Sequence, residues 1–174
     1  MGVGSLMEVK IYSEERAKEI ADLFHQLVHS IDPSVYSPEQ QEVWEPTPPD
    51  YERWSQRLKE KKPFIAIIDN RIADFIELDP DGHIDYIYTH PDFLGCGVAS
   101  VLFEYLLKQA MSLNLERLYV EASCVARPFF ENRGFSIIQR DEVKRHGVTL
   151  VNFTMERRLH PNNQMQPTAD VSAD

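Results

Sequence analysis

The stretch that decides the fold reads Ile84-Asp85-Tyr86-Ile87-Tyr88-Thr89-His90-Pro91-Asp92-Phe93-Leu94-Gly95-Cys96-Gly97-Val98-Ala99-Ser100 and continues to Ala110. Alternating β-branched and aromatic residues as far as Thr89 predict a strand that Pro91 ends. Two glycines then predict a tight turn. Apolar residues spaced three and four apart follow, and they predict one buried face of a helix: Val98, Val101, Leu102, Tyr105 and Leu106.

A strand, a glycine turn and a helix in this order predict a site for an anion. The N–H groups in the first turn of a helix have no partner within it, and the macrodipole adds about half a positive charge there. Two common phosphate loops do not fit: Ser100 replaces the third glycine of a dinucleotide fingerprint, and no Gly-Lys-Ser/Thr sequence occurs. On the glycines alone, a helix N-terminus without a ligand is an equally good interpretation.

The composition is that of one soluble globular domain. The 174 residues are 43% hydrophobic with a net charge of −10, which argues against nucleic acid or an anionic membrane as partner. A cationic small molecule suits this charge, although many soluble proteins are acidic without one. The chain lacks a signal peptide and any apolar run of the ~18–20 residues that cross a bilayer. Two cysteines, Cys96 and Cys124, cannot build a disulfide framework, so we expect a cytoplasmic protein.

Hydrophobic periodicity and capping residues predict the remaining elements. Strands are expected at 8–12, 63–68, 72–78, 116–122, 135–139 and 149–155, with helices at 13–30, 38–44, after 50, and at 126–133. The fold class is therefore α/β, and we expect one domain over residues 7–158. The polar composition of residues 159–174 predicts a disordered tail.

The glycine turn resembles the coenzyme A-binding motif of the GCN5-related N-acetyltransferase (GNAT) family. That motif reads Gln/Arg-x-x-Gly-x-Gly/Ala; Gly97 and Ala99 match its last two positions, whereas Leu94 replaces the Gln or Arg. Downstream, Ala126-Arg127-Pro128-Phe129-Phe130-Glu131-Asn132-Arg133-Gly134-Phe135 is similar to the family's Ala-x-x-Phe-Tyr-Glu-x-x-Gly-Phe. The order of elements agrees over residues 9–157. Residues 36–40, 44, 81–85 and 121–123 look more narrowly like the YafP-type branch of the family.

The resemblance implies a central mixed, mostly antiparallel sheet of six to seven strands, flanked by helices and splayed at a cleft for acetyl-CoA. Pantetheine would pair with the backbone of residues 87–89, and the pyrophosphate would lie on the N–H groups of residues 94–100. The cofactor-binding residues implied are Ile87, Tyr88, Thr89, Leu94, Gly95, Cys96, Gly97, Val98, Ala99, Ser100, Ser123, Arg127, Phe130 and Arg133.

The reaction implied is transfer of an acetyl group from acetyl-CoA to a primary amine in one ternary complex. A base must take a proton from the amine. Acids expected on central strands are the candidates, in the order Glu77, Glu121 and Asp85. Phe130 stands where many members have the tyrosine that protonates the CoA thiolate. Either another residue protonates it, or the thiolate leaves unaided; the candidate donors are Tyr88, Tyr86 and Cys124.

The expected acceptor-binding residues are Tyr36, Trp44 and Tyr86, and an aromatic pair opposite acidic residues suits a cation. The acceptor would be a small-molecule or peptide amine; its identity stays open, as does the oligomeric state, with a homodimer among the options. We expect no metal, because neither of the two His-x-Asp pairs has a converging third ligand. The missing tyrosine keeps a non-catalytic acyl-CoA-binding module as the alternative to an enzyme.

Overall fold

One open sheet organises the part of the chain that the computed structural model describes, residues 6–85 and 89–160. Within these ranges it has seven strands: β1 (Met7–Ile11), β2 (Phe64–Ile68), β3 (Arg71–Leu78), β4 (His83–Asp85), β5 (Arg117–Ser123), β6 (Ser136–Arg145) and β7 (Val148–Arg158). Their order across the sheet is β1-β2-β3-β4-β5-β7-β6. β4 and β5 run parallel, and the other neighbours are antiparallel. The predicted mixed, mostly antiparallel sheet is confirmed.

Helices cover both faces of the sheet. The α-helices in the described ranges are α1 (Ala17–His29), α2 (Pro38–Trp44), α3 (Tyr51–Lys61), α4 (Val98–Ser112) and α5 (Arg127–Glu131). α1 and α3 pack around Phe24, Trp54 and Phe75 on one face, while α4 packs on the other, so the core consists of two apolar clusters. None of these helices is long and apolar enough to span a membrane.

Side-chain caps set where α2 and α3 begin. α2 begins with a capping box: the Gln40 N–H donates to Ser37 Oγ (3.1 Å), and the Ser37 N–H donates to Gln40 Oε1 (2.8 Å). Asp50 caps α3 by accepting a hydrogen bond from the Arg53 N–H (3.0 Å). These caps fix the start of the helical segment that lies above the carboxyl ends of the central strands.

Three elements differ from the sequence prediction. The helix predicted at 13–30 is divided, because a 3-10 helix at Glu14–Arg16 precedes α1 and Ser13 makes no side-chain cap bond. The apolar face of α4 is rotated: Val101 is 44% exposed, and Phe103 is fully buried because it packs against aromatic rings near α5. β6 and β7 are longer than predicted, since their polar outer residues continue the backbone ladder to a two-residue turn at residues 146–147.

The residue that follows β7 also packs in the core. Leu159 is buried in the core, and its N–H donates to the carbonyl oxygen of Glu116 (2.9 Å). The remainder of the predicted tail, residues 161–174, lies outside the described residues.

β4 and β5 are parallel neighbours. Within the described ranges they are joined by two residue pairs, His83 with Tyr119 and Ile84 with Val120. The described part of β4 stops at Asp85, and β5 continues to residue 123 beside β7. The predicted strand residues Tyr86, Ile87 and Tyr88 lie outside the described residues. Thr89, which follows β4, and Val125, which follows β5, line one cleft, and the space between these two segments is the gap between β4 and β5.

Gly82 holds the turn before β4 against the start of β5. Its φ is +95°, and a Cβ at this position would lie 2.0 Å from the carbonyl oxygen of Arg117. Its own carbonyl accepts a hydrogen bond from the Tyr119 N–H (3.0 Å). Both backbone conformation and close approach therefore require glycine here.

We predict that Gly82→Ala lowers the free energy of unfolding by more than about 3 kcal/mol, because a clash with backbone adds to about 1 kcal/mol of left-handed strain. Gly147→Ala is the matched control: its φ is +78°, but its Cβ would meet nothing within 4 Å. It should lose only about 1 kcal/mol. Urea unfolding measures both values, and equal losses would contradict the close approach.

Candidate active site

The loop before α4 owes its shape to two glycines. Gly95 and Gly97 have φ values of +78° and +74°, in the left-handed region, and a Cβ at either position would meet nothing within 4 Å. The backbone conformation therefore selects glycine at these positions, and the space around them stays open. A ligand can approach the loop backbone closely.

Most of the N–H groups in this loop have no hydrogen-bond acceptor among the described residues. Those of Leu94 and Cys96 bond within the loop, to the carbonyl oxygens of Pro91 (3.4 Å) and Phe93 (3.2 Å). The unpaired ones belong to Gly95, Gly97, Val98, Ala99 and Ser100. The first turn of α4 carries no acidic residue, although the chain has a net charge of −10. The loop therefore presents converging donors and a helix dipole to an anion.

Arg133 places a positive charge beside these donors. Its Nη2 donates to Ser100 Oγ (2.6 Å), its Nη1 donates to the Phe129 carbonyl oxygen (3.0 Å), and its guanidinium lies 3.5 Å from the centre of the Phe129 ring. Burial lowers the pKa of Arg133, but a guanidinium remains charged at neutral pH. A cation therefore stands next to the unpaired N–H groups at the start of α4.

An apolar cleft of about 550 Å³ opens beside the loop. Three parts of the chain line it: the loop with the start of α4, the region around α5, and the end of α1 with the segment after it. The residues are, in that order, Thr89, Pro91, Leu94 and Ala99; Val125, Ala126 and Phe129; and Leu27, Ser30, Ile31, Asp32 and Val35. Its walls come from both sides of the gap between β4 and β5. The cleft suits a narrow, largely apolar chain.

Two of the residues predicted to contact the cofactor are not among the residues that line the apolar cleft. Phe130 is fully buried and packs edge to face on Phe129 and Phe135, so it offers no surface to a ligand; Phe129 lines the apolar cleft in its place. Arg127 is held by an ion pair with Glu131, the residue one helical turn further on.

A polar cavity of about 330 Å³ lies next to the apolar cleft. Its lining comes from α1 to α3, from β4 and β5, and from the hairpin of β6 and β7: Phe24, Tyr36, Trp44, Glu45, Arg53, Arg57, Asp85, Glu121, Ser123, Val143, Arg145, Leu150 and Asn152. Two predicted acceptor residues, Tyr36 and Trp44, are among them, with ring centres 5.3 Å apart. The third, Tyr86, lies outside the described residues.

Neighbouring residues of two short segments line the two cavities. Val35 lines the apolar cleft and Tyr36 the polar cavity; likewise, Ser123 lines the polar cavity and Val125 the apolar cleft. The Tyr36 hydroxyl accepts a hydrogen bond from the Cys124 N–H (3.0 Å) and so joins the segments. Burial raises the pKa of Tyr36 to about 12, and its hydroxyl is therefore protonated at neutral pH. A chain bound in the apolar cleft can end beside the polar cavity.

Arg57 binds two of the three predicted bases. Its Nη2 donates to Glu77 Oε2 (2.7 Å) and to Asp85 Oδ2 (2.8 Å). Glu77 is 1% exposed and lies behind the cavity wall, whereas Asp85 lines the cavity. Burial raises the pKa of Glu77 to about 7, against the attraction of the Arg57 guanidinium. Glu77 therefore acts on the cavity through Arg57 and not by direct contact.

Glu121, the third predicted base, lines the polar cavity with a proton-carrying partner behind it. His83 Nε2 is hydrogen-bonded to Glu121 Oε2, and His83 Nδ1 lies 3.3 Å from Asp79 Oδ2. Burial by itself lowers the pKa of His83, but the hydrogen bond and charge of Glu121, with the nearby acids, raise it above its usual value overall. Glu121, His83 and Asp79 therefore form a continuous chain of hydrogen bonds.

Sequence reasoning missed Arg57, His83 and Asp74 as parts of the site. His83 stands two residues before Asp85, which places both on one face of a strand. Asp74 interrupts the apolar run of β3; it is fully buried, and its Oδ2 accepts a hydrogen bond from Thr89 Oγ1 (2.9 Å) at the start of the loop segment. A charge inside an apolar strand is the signal that could have identified it.

A family model described as an acetyltransferase (GNAT) domain matches residues 33–157 of this chain. The chain belongs to the GNAT acetyltransferase family. Membership makes it an N-acetyltransferase that uses acetyl-CoA, and the predicted family and enzyme class are confirmed.

Individual relatives agree with this assignment. The uncharacterized N-acetyltransferase YafP of Escherichia coli K12 is 29% identical over 149 residues, which cover 86% of this chain and 94% of YafP. The crystal structure of a GCN5-related N-acetyltransferase from Rhodopseudomonas palustris matches with a TM-score of 0.82 and 34% identity, covering 91% of this chain and 99% of that one. The PaiA N-acetyltransferase of Thermoplasma acidophilum, solved with coenzyme A, shares the fold (TM-score 0.70, 16% identity, 88% and 99% covered).

For this GNAT acetyltransferase we predict that Gly97→Asp raises the Kd for acetyl-CoA by about 100-fold or more. The new carboxylate would stand among the loop donors and repel the pyrophosphate. Gly147→Asp is the control, because it has the same left-handed φ and open surroundings but lies in the β6–β7 turn. Isothermal titration measures both. An unchanged Kd for a folded Gly97→Asp protein would remove the loop from the cofactor site.

The raised pKa of Glu77 predicts a pH-dependent stability. Between pH 4.5 and about 7 the Glu77 carboxyl stays protonated in the folded protein but is ionised in the unfolded chain. Its stabilising contribution to the free energy of unfolding is therefore complete below pH 4.5 and is lost as the pH rises through 7. The wild-type free energy of unfolding should fall between pH 5 and pH 8, and Glu77→Gln should reduce this fall by up to about 3 kcal/mol. Urea unfolding at the two pH values measures it. The exposed control Glu52→Gln should keep the wild-type slope. If Glu77→Gln keeps the wild-type dependence of the free energy of unfolding on pH, the raised pKa of the Glu77 carboxyl is refuted.

Proposed function

We propose that this protein transfers the acetyl group of acetyl-CoA directly to a primary amine on a small molecule or peptide, in the cytoplasm and through a single catalytic domain over residues 7–158. The observation that supports this proposal is that adjacent residues of two segments, 35–36 and 123–125, line the apolar cleft and the polar cavity, and that the hydrogen bond from the Cys124 N–H to the Tyr36 hydroxyl joins these segments. Donor and acceptor can then be bound at once, which direct transfer in a ternary complex needs.

The donor would lie along the loop and the apolar cleft. Its pyrophosphate is suited to the unpaired N–H groups of the loop and to the Arg133 guanidinium, and its pantetheine arm to the apolar cleft. The relative from Thermoplasma acidophilum was solved with coenzyme A, which supports a related donor here. Ile87 and Tyr88 stay predicted contacts of the pantetheine arm. The acetyl end would then stand at the junction of the two cavities.

Glu121 is the base we propose. It lines the polar cavity and is half exposed, so an amine can reach it directly or through one water, unlike the buried Glu77. Asp85 also lines the cavity, but its carboxylate is bound by Arg57. Glu121 would take the amine proton, and His83 would pass it towards Asp79. The neutral nitrogen then attacks the thioester carbon, and the carbon–sulfur bond breaks.

The leaving thiolate lacks the tyrosine usual in the family, because Phe130 is a buried phenylalanine. Tyr88 and Tyr86 stay candidates for the acid and lie outside the described residues. Cys124 is half-buried at the junction, with its Sγ 4.0 Å from the carbonyl oxygen of Val151. The modest basicity of the CoA thiolate also permits departure without an acid.

A panel of primary amines tests the reaction itself. Purified protein is mixed with acetyl-CoA and each amine, released CoA is measured with a thiol reagent, and the acetylated product is identified by mass. We expect CoA release that depends on the amine. Tight binding of acetyl-CoA with no release from any amine would contradict the proposal.

We predict that Glu121→Gln lowers kcat by about 100-fold and leaves the KM for acetyl-CoA within a factor of two, because the amide cannot take a proton. Glu142→Gln, an exposed acid on β6 outside the cavity, should keep the wild-type rate. If Glu121→Gln retains full kcat while Asp85→Asn loses it, the base is Asp85 instead.

A further inference from the structure

The polar cavity holds two arginines that no acid of the described chain neutralises. Arg53 on α3 and Arg145 at the end of β6 line it, and neither guanidinium has an ion pair or side-chain hydrogen bond within residues 6–85 and 89–160. Several other arginines are paired with acids, as Arg71 is with Asp92 (2.8 Å). In a chain with 28 acidic residues against 18 basic ones, two unpaired guanidiniums in one cavity leave strong donors for an anionic group of a ligand.

Arg145 lies far from the proposed base along the sheet. Glu121 is opposite Thr154 on β7, and Arg145 is opposite Val148, six residues away on the same strand. At about 3.3 Å per residue their Cα atoms are roughly 20 Å apart along the sheet. The cavity therefore has an acidic end at the junction and a cationic end at the hairpin.

Arg53 strengthens the cationic end. It stands four residues before Arg57, on the same face of α3 and about 6 Å along the axis. Arg57 is occupied by Glu77 and Asp85, whereas Arg53 is exposed at the cavity. The hairpin residues between the two ends are Val143, Leu150 and Asn152, which are apolar or neutral.

From this charge separation we propose that the acceptor carries a carboxylate well separated from its reacting amine, at the opposite end of the molecule, as in a short peptide or a long-chain amino acid. The inference depends on the proposed amine transfer. The amine binds at Glu121, and the carboxylate binds between Arg53 and Arg145. A second cation in place of the carboxylate would be repelled there.

Matched acceptors test the charge requirement. Triglycine is compared with triglycine amide, and 6-aminohexanoate with 6-aminohexanamide, because each pair differs only in the terminal carboxylate. The first pair represents a peptide source and the second an amino acid source. We expect kcat/KM to be at least about tenfold higher for the carboxylate member of the preferred pair, mainly through KM.

Variants locate the contact. Arg145→Gln and Arg53→Gln should each lower kcat/KM about tenfold for the carboxylate acceptor and leave the amide acceptor nearly unchanged. Arg158→Gln is the control, since Arg158 is an exposed arginine on β7 that lines none of the described cavities and likewise has no ion pair within the described residues. Circular dichroism and the Tm verify that all three variants are folded.

Equal kcat/KM for the acid and amide members of both pairs would overturn this inference while the proposed amine transfer stands. Equal losses on acid and amide acceptors in Arg145→Gln and Arg53→Gln would overturn it too. If no amine of either pair, nor of the wider panel, releases CoA, the proposed transfer fails and this inference fails with it.

Discussion

The short parallel contact between β4 and β5 is the constraint on which the rest of the site depends. Within the described residues, two residue pairs hold these strands together, next to a turn where Gly82 packs against the Arg117 carbonyl. β5 stays paired with β7 over its whole length, so the hairpin follows β5. The gap between the segments that follow β4 and β5 is lined by the loop before α4 on one side and by the start of α5 on the other. Both cavities open from that gap.

The two cavities use different parts of the chain for recognition. The loop beside the apolar cleft presents backbone N–H groups and a helix dipole, which depend on conformation more than on side-chain identity. It therefore tolerates Leu94 where the family motif has Gln or Arg. The polar cavity is built from charged side chains on α3, β4, β5 and β6. Its selectivity depends on which residues occupy those positions, so it can vary within one fold.

Arg57 connects the core to the polar cavity. A buried carboxylate such as Glu77 is costly without a partner, and Arg57 supplies one while it also binds Asp85 at the cavity wall. Because one guanidinium serves both acids, a change in the charge of Glu77 alters the field that Asp85 experiences. Glu121 is independent of this pair and has its own partner in His83. The three carboxylates that look alike in the sequence thus have three different environments.

The sequence by itself determined the family, the elements and the loop. Local patterns were sufficient, because the glycines at 95 and 97, the caps at Ser37 and Asp50 and the segment around Phe130 act through neighbouring residues. It also named Glu77, Glu121 and Asp85 as candidate bases. It ranked Glu77 first, although Glu77 is buried behind the wall of the polar cavity. Only the tertiary structure decided exposure, because burial depends on residues distant in sequence. Arg57 reaches Glu77 across 20 positions and His83 reaches Glu121 across 38, and no local period predicts such pairs. The same holds for Phe129, whose ring and not that of Phe130 faces the cleft, since the core around Phe135 sets how α5 is turned.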